Sequence, residues 1–291
     1  MMTFYKYQGA GNDFLIADNR SGAIKEKDGV ISVQSPEGGV WRRSIADLCD
    51  RRYGIGADGL MLLEDSDKYD FRMVYFNSDG SGGMMCGNGG RCIVAFAADC
   101  GLEHFDFDAA DGFHTAEILS DRGGVKTVRL KMIDVSDCRQ YDNLEDVDCE
   151  SKGFFLDTGT RHYVRFVSGL DTYNIISEGR EIRWNAKQLQ PVGVNVNFVE
   201  VGEGVVNVRT YEKGVEDETY ACGTGIVASS LASYLAGVAP ARKDLTGRLT
   251  YEMRALRDDL SVDFIPGRDG MVAQDVWLTG PATKVAQIII D

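Results

Sequence analysis

Two cysteines open the same kind of stretch. Cys86-Gly87-Asn88-Gly89-Gly90-Arg91-Cys92 runs into Ile93-Val94-Ala95-Phe96-Ala97-Ala98, and Cys222-Gly223-Thr224-Gly225 runs into Ile226-Val227-Ala228-Ser229-Ser230-Leu231. Each is a cysteine, a Gly-rich turn and an Ala-rich run that reads as helix, stopping at Gly101 or Gly237, 15 residues past its cysteine. A thiol just ahead of a helix meets orphan N–H donors and the positive end of the helix dipole, and both favour thiolate. The glycines let a ligand approach the backbone, and the N–H groups of Gly87-Asn88 and Gly223-Thr224 suit an anion such as a carboxylate. Two thiols on opposite sides of one carbon could invert it, one removing the α-proton and the other delivering a new one. That proton is a very weak acid, so donors on the carboxylate must take up the developing charge, in a site that excludes water. Each tenfold in rate needs about 1.4 kcal/mol. No pyridoxal lysine and no metal-ligand set is visible, so the chemistry reads as cofactor-independent and metal-free.

The elements that must position these stretches read as strand-rich. Strands are predicted over 4–7 and 14–17 with a Gly9-Ala10-Gly11-Asn12 turn between them, then over 60–63, 69–76, 104–108, 113–119 and 125–132. Residues 19–42 read as loop, Ser44 caps a short helix over 45–49, and Met84-Met85 packs beneath the turn before Cys86. Asp134 to Ser151 holds seven acidic residues and reads as the connection between halves. The second half repeats the order: strands over 153–156 and 161–166, a short helix over 175–182, then strands over 193–201, 205–211, 248–253, 259–264, 271–279 and 285–290. A Gly turn with a polar residue comes first in each half and aligns Asn12 with His162. A strand opening on arginine later delivers Asn77 or Glu212. The cysteines lie 136 residues apart, near half the chain, so an internal duplication is the natural reading. The expected fold is α+β: two pseudosymmetric domains, each a strongly curved, largely antiparallel sheet around a central helix, facing each other so that equivalent sites meet. The boundaries expected are 1–133 plus a final strand of about 280–291, and 134–279.

With 291 residues, 44% apolar and 26% charged, the chain can build an ample globular core. No uncharged apolar run approaches the roughly 18 to 20 residues of a membrane helix, and no secretory signal is visible. A formal charge of −14 argues against a nucleic-acid partner. Seven cysteines with neither Cys-x-x-Cys nor paired histidines fit free thiols in a reducing, cytoplasmic compartment. Cys92 and Cys100 read as ordinary buried residues, Asp58 and Asp79 as turn formers, and His104 and His114 as structural.

Together, Gly9-Ala10-Gly11-Asn12-Asp13-Phe14, Phe76-Asn77-x-Asp79-Gly80-Ser81, the two cysteine stretches, Gly193-Val194-Asn195-Val196-x-Phe198, Tyr211-Glu212 and Glu218-Thr219-x-Ala221 resemble the diaminopimelate epimerase family from the first strand to Gly280-Pro281-Ala282. The resemblance implies interconversion of LL- and meso-diaminopimelate, a diamino dicarboxylic acid, for lysine and peptidoglycan-precursor synthesis. It implies that Cys86 and Cys222 are the paired acid/base thiols and that Gly87, Asn88, Gly223 and Thr224 hold the carboxylate at the reacting centre. Asn12, Asn77, Thr160 and Asn195 would read the substrate, and His162 and Glu212 would stand behind the thiols and the reacting amine. By the resemblance alone, the last strand returns to the first domain and a homodimer is expected.

Three positions depart from the family pattern. Lys213 replaces an arginine that clamps the distal carboxylate, which keeps the charge but loses the bidentate fork. Thr160-Arg161-His162 replaces Asn or Ser, Pro and His. Gly59 replaces a Gln found in some members. Arg161 is expected to help supply positive charge at the distal end. Two alternatives stand beside this reading: racemisation of another amino acid by the same two-cysteine chemistry, and, in a different class, a thiol redox switch.

Overall fold

A computed structural model describes residues 1–35, 38–268 and 270–291. The chain divides into two compact units, Met1–Leu130 with Pro281–Asp291, and Lys131–Gly280.

In the first unit, β1 (Met2–Gly9) turns through Ala10 and Gly11, both at positive φ, into the antiparallel β2 (Asn12–Asp18). A small separate sheet follows: β3 (Ile24–Lys27), β4 (Val30–Gln34) and β5 (Val40–Ser44). Helix α1 (Ile45–Cys49) is capped by the Ser44 side chain, which accepts from Asp47 N. β6 (Gly59–Glu64) lies parallel to β2 and antiparallel to β7 (Phe71–Asn77). Helix α2 (Gly87–Asp99) comes next, then β8 (Asp106–Ala109) parallel to β7, β9 (Gly112–Arg122) and β10 (Val125–Lys131), the last pairs antiparallel. α2 packs on β1, β2, β6 and β9 and is buried from Gly87 to Ala97, so the sheet curves around it.

The second unit repeats the plan. β11 (Cys138–Tyr141), β12 (Gly153–Asp157) and β13 (Arg161–Phe166) are antiparallel in turn. Helix α3 (Ile175–Asn185) fills the crossover that β3 to β5 and α1 fill in the first unit. β14 (Asn195–Val201) is parallel to β13 and antiparallel to β15 (Val206–Glu212), which pairs with the short β16 (Asp217–Thr219). Helix α4 (Gly223–Leu235) and β17 (Arg242–Lys243) follow. β18 (Leu249–Arg254) touches β15 in parallel, and β19 (Asp259–Pro266) and β20 (Ala273–Ile290) extend the sheet antiparallel. α4 packs on β12, β13, β14, β15, β18 and β19. The pairing sequence from β1 to β10 (antiparallel, parallel, antiparallel, parallel, antiparallel, antiparallel) is that from β12 to β20, so the fold is α+β and duplicated.

Even the helix ends repeat. After α2, Gly101 N donates to Ala98 O and Leu102 N to Ala97 O; after α4, Gly237 N donates to Tyr234 O and Val238 N to Ser233 O. Both are Schellman closures, which need a left-handed residue, and Gly101 and Gly237 supply it at φ 90 and 79.

Four expectations change. Residues 24–44 are largely strand, since Ile24 and Ile31 turn inward while charged neighbours face out. The acidic connection contains β11. The final two strands are one, β20, whose first part pairs with β19 and whose last part, Thr283–Ile290, pairs with β1. Met84 is exposed, not packed beneath its turn.

Candidate active site

In the first unit, Cys86 is the N-cap of α2. Its backbone is extended, its Sγ accepts from Gly89 N at 3.3 Å and its carbonyl from Gly90 N at 2.8 Å. The amides of Gly87 and Asn88 stand ahead of these two, at the positive end of the helix. Asn88 is aimed by a buried relay. Arg91, with no exposure at all, donates to Asn88 Oδ1 (2.8 Å) and to Gly87 O (3.2 Å). Asn88 Nδ2 donates to Asn12 Oδ1 (2.6 Å), and Asn12 Nδ2 to Asp58 Oδ2 (2.9 Å). Arg51 bridges Asp58 and Asp13, and Lys6 pairs with Asp13. These cations hold the Asp13 carboxyl below its usual range, against the opposing effect of burial. Asn77, the last residue of β7, donates to Ser81 Oγ at 3.0 Å, within the turn that Asp79 closes by accepting from Ser81.

In the second unit, Cys222 is the N-cap of α4, with Sγ 3.4 Å from Thr224 Oγ1 and its carbonyl accepting from Ile226 N at 2.8 Å. Thr224 Oγ1 lies 2.9 Å from Thr160 Oγ1 and 2.9 Å from His162 Nε2, and Thr158 donates to Thr224 O. His162 is fully buried, and burial alone pushes its pKa down to about 3, so the ring is neutral. Glu212, the last residue of β15, accepts from Thr219 Oγ1 at 2.7 Å. Asn195 accepts from Lys213 N (2.9 Å) and donates to Arg161 O (3.2 Å), while the Lys213 side chain is exposed.

The registers reveal one wiring used twice. Phe14 opposes Gly59 in the β2–β6 pair, and His162 opposes Asn195 in the β13–β14 pair. His162 is therefore the counterpart of Phe14, and Thr160 that of Asn12, which corrects the sequence alignment of Asn12 with His162. The ring contacts agree: a Cβ at Gly89 would stand 3.6 Å from Phe14 Cζ, and one at Gly225 would stand 3.2 Å from His162 Cε1. In each unit the hairpin residue (Asn12 or Thr160) bonds the second residue past the cysteine (Asn88 or Thr224). The copies differ where polarity is needed on one side only, with His162 in place of Phe14.

Two departures from the family pattern have structural reasons. A side chain at Gly59 would meet Tyr75 Cε2 at 2.4 Å and Phe76 O at 2.5 Å, so the Tyr75 ring takes the space a Gln would use. Arg161 lies one residue from His162 on β13 and so projects to the opposite face, its guanidinium 5.0 Å over the Phe155 ring. That contact is with Phe155 on the far side of the strand from the Thr160–Thr224 pair. Sequence reasoning gave Arg91, Thr158, Asn197 and Thr210 no role, and it took Asp58 for a turn former. Arg91 was findable, because an arginine one turn into an otherwise apolar helix needs acceptors.

A curved sheet around a central helix, built twice, defines a duplicated α+β class, and other solved structures share that fold. A phenazine biosynthesis protein of the PhzF family from Bacillus anthracis superposes with a TM-score of 0.69 at 15% identity, covering 99% of each chain. A probable proline racemase from Agrobacterium radiobacter K84 gives 0.67 at 14%, over 100% of this chain and 93% of that one. At such identities the likeness is one of fold. Sequence goes further: the diaminopimelate epimerase family model matches residues 4–132 and 154–255. Diaminopimelate epimerases from Chlorobaculum tepidum (39% identical, 95% of this chain and 96% of that protein), Aquifex aeolicus (37%; 98% and 96%) and Flavobacterium psychrophilum (36%; 99% and 100%) are similar along their length. The chain belongs to the diaminopimelate epimerase family.

Proposed function

We propose that this chain is an isomerase that interconverts LL- and meso-2,6-diaminopimelate without a cofactor, in lysine and peptidoglycan-precursor synthesis. The observation that carries the reading is the repeated half-site: a cysteine N-cap at the mouth of a glycine-rich helix, with the second helical residue tied to the preceding hairpin. Cys86 and Cys222 are the two acid/base groups. One thiolate takes the α-proton and the other thiol returns a proton to the opposite face. The amides of Gly87, Asn88, Gly223 and Thr224 take up the charge that develops on the α-carboxylate. Glu212 and the neutral His162 orient the amine and the thiols. Asn12, Asn77, Thr160, Asn195 and Lys213 read the rest of the substrate, Lys213 supplying the positive charge for the distal carboxylate. On this reading the halves are 1–133 with 280–291, and 134–279. A reducing cytoplasm keeps both thiols available, and a homodimer is the assembly that light scattering would test.

Incubation with LL-diaminopimelate in D2O tests the reading. Deuterium is expected at the α-carbon of the epimerised centre, and Cys86→Ala and Cys222→Ala are each expected to abolish turnover. No exchange at any α-carbon would sink the epimerase reading; exchange with another amino acid alone would sink the substrate.

A further inference from the structure

His162 offers its two ring nitrogens to different partners. Nδ1 lies 3.0 Å from Asn197 Nδ2, and Nε2 lies 2.9 Å from both Thr160 Oγ1 and Thr224 Oγ1. Asn197 is wholly buried, and its amide is oriented from two sides. Thr210 donates its hydroxyl to Asn197 Oδ1 at 2.9 Å. A Cβ at Gly225 would stand 2.5 Å from that same oxygen, so Oδ1 rests against the glycine α-carbon. An oxygen there accepts a weak C–H contact, whereas an amide NH2 would press hydrogen on hydrogen. With Oδ1 so placed, Nδ2 faces Nδ1 as a donor, and Nδ1 must be the bare nitrogen. The ring carries one proton, on Nε2, aimed at the two threonine hydroxyls. Each hydroxyl has a single proton to give. While Nε2 donates, neither hydroxyl proton is drawn toward the ring, and the Thr224 hydroxyl can point its own at Cys222 Sγ, 3.4 Å away. With the proton on Nδ1, Nε2 would instead accept, and the Thr224 hydroxyl would be one of the two whose proton it could draw away from the sulfur.

We propose that Asn197, set by Thr210, is a positioning residue that fixes His162 as the Nε2–H tautomer and thereby makes the Thr224 hydroxyl a hydrogen-bond donor to the Cys222 thiolate. The inference rests on the reading of Cys222 as an acid/base thiol. It adds a means by which a neutral histidine can stabilise a thiolate: through the direction of a hydroxyl proton.

Long-range 1H–15N correlation of the 15N-labelled full-length protein reports the tautomer directly. The chain has only three histidines, so His104→Gln and His114→Gln complete the assignment. At pH 7 His162 is expected to show a protonated Nε2 and a bare Nδ1. Asn197→Asp keeps the shape but puts an acceptor at Nδ1, and is expected to draw the proton there or to charge the ring. Iodoacetamide labelling of Cys222 after reduction, read by peptide mass spectrometry, gives a second measure. Losing the Thr224 donor would lower the thiolate fraction about tenfold, and the higher intrinsic nucleophilicity of the more basic thiolate offsets part of this. Thr224→Val should therefore label about threefold more slowly at pH 7, and Thr224→Ser at the original rate. A proton on Nδ1 in the unaltered protein overturns the proposal whether or not Asn197→Asp folds. A folded Asn197→Asp whose ring carries its only proton on Nε2 also overturns it, and so does Thr224→Val labelling at the original rate. None of these readouts requires turnover, so they stand apart from the outcome of the D2O experiment.

Discussion

Acid should destabilise this protein through one residue before its carboxylates respond. His162 has a folded pKa of about 3 against 6.5 for the ordinary side chain, and the cause is burial. A histidine with a depressed folded pKa binds its proton first in the unfolded chain. Its contribution to stability is therefore complete above pH 6.5 and is lost as pH falls from 6.5 toward 3. At pH 5 the unfolded histidine is protonated and the folded one is not, which costs 1.5 pH units at 1.36 kcal/mol each, about 2 kcal/mol. For units of this size, that amounts to roughly 4 to 8 °C in Tm. Carboxyls held low by cations, such as Asp13 and Asp275, lose their contribution only near and below their ordinary value of 3.8, outside the range from pH 7 to pH 5. The assay is urea or thermal unfolding of the unaltered protein and of His162→Gln at pH 7, 6 and 5. The stability difference between them should shrink by about 2 kcal/mol from pH 7 to pH 5. Parallel curves would refute the reasoning, because they would mean that His162 is charged when folded or is not held out of water.

Further substitutions probe the site. Gly225→Ala puts a methyl 2.5 Å from Asn197 Oδ1 and 3.3 Å from Cys222 Cβ, and should cost about 1 to 3 kcal/mol by overpacking, with a loss of kcat; Gly82→Ala, which meets nothing within 4 Å, should leave stability within about 0.5 kcal/mol. Arg161→Ala should change the diaminopimelate KM by less than about threefold and cost about 0.5 to 1 kcal/mol of stability through its lost ring contact, while Lys213→Ala should raise KM about tenfold or more if that ammonium holds the distal carboxylate.

The helices that carry Cys86 and Cys222 were legible because their signals are local: a cysteine, glycines, an apolar run and a stop glycine that the Schellman closure needs. The duplication followed from them. The small sheet at 24–44 was missed because its inward residues are few among lysines, arginines and glutamates. One signal for it was present nonetheless. Asp28-Gly29 sits between Lys27 and Val30, which pair across the turn, and both turn residues have positive φ, as a two-residue hairpin requires. The alignment of Asn12 with His162 failed for another reason. It matches Gly9 to Gly159, whereas the strand partners Gly59 and Asn195 match the left-handed Gly11 (φ 93) to Gly159 (φ 100). The role of Asn197 was not legible, because it depends on partners distant in sequence, Thr210 and His162.

The long final strand has a consequence for synthesis. Met2 pairs with Ile290 and Phe4 with Ile288, so β1 waits for a neighbour made almost a full chain later. At about 5 to 20 residues per second, that delay is on the order of 15 to 60 s, during which β1 presents one unpaired edge, a template for pairing with other nascent chains. The residues of the second unit, 131–280, are all made before that neighbour is complete. On the ribosome, the half that is begun first is the last to be finished.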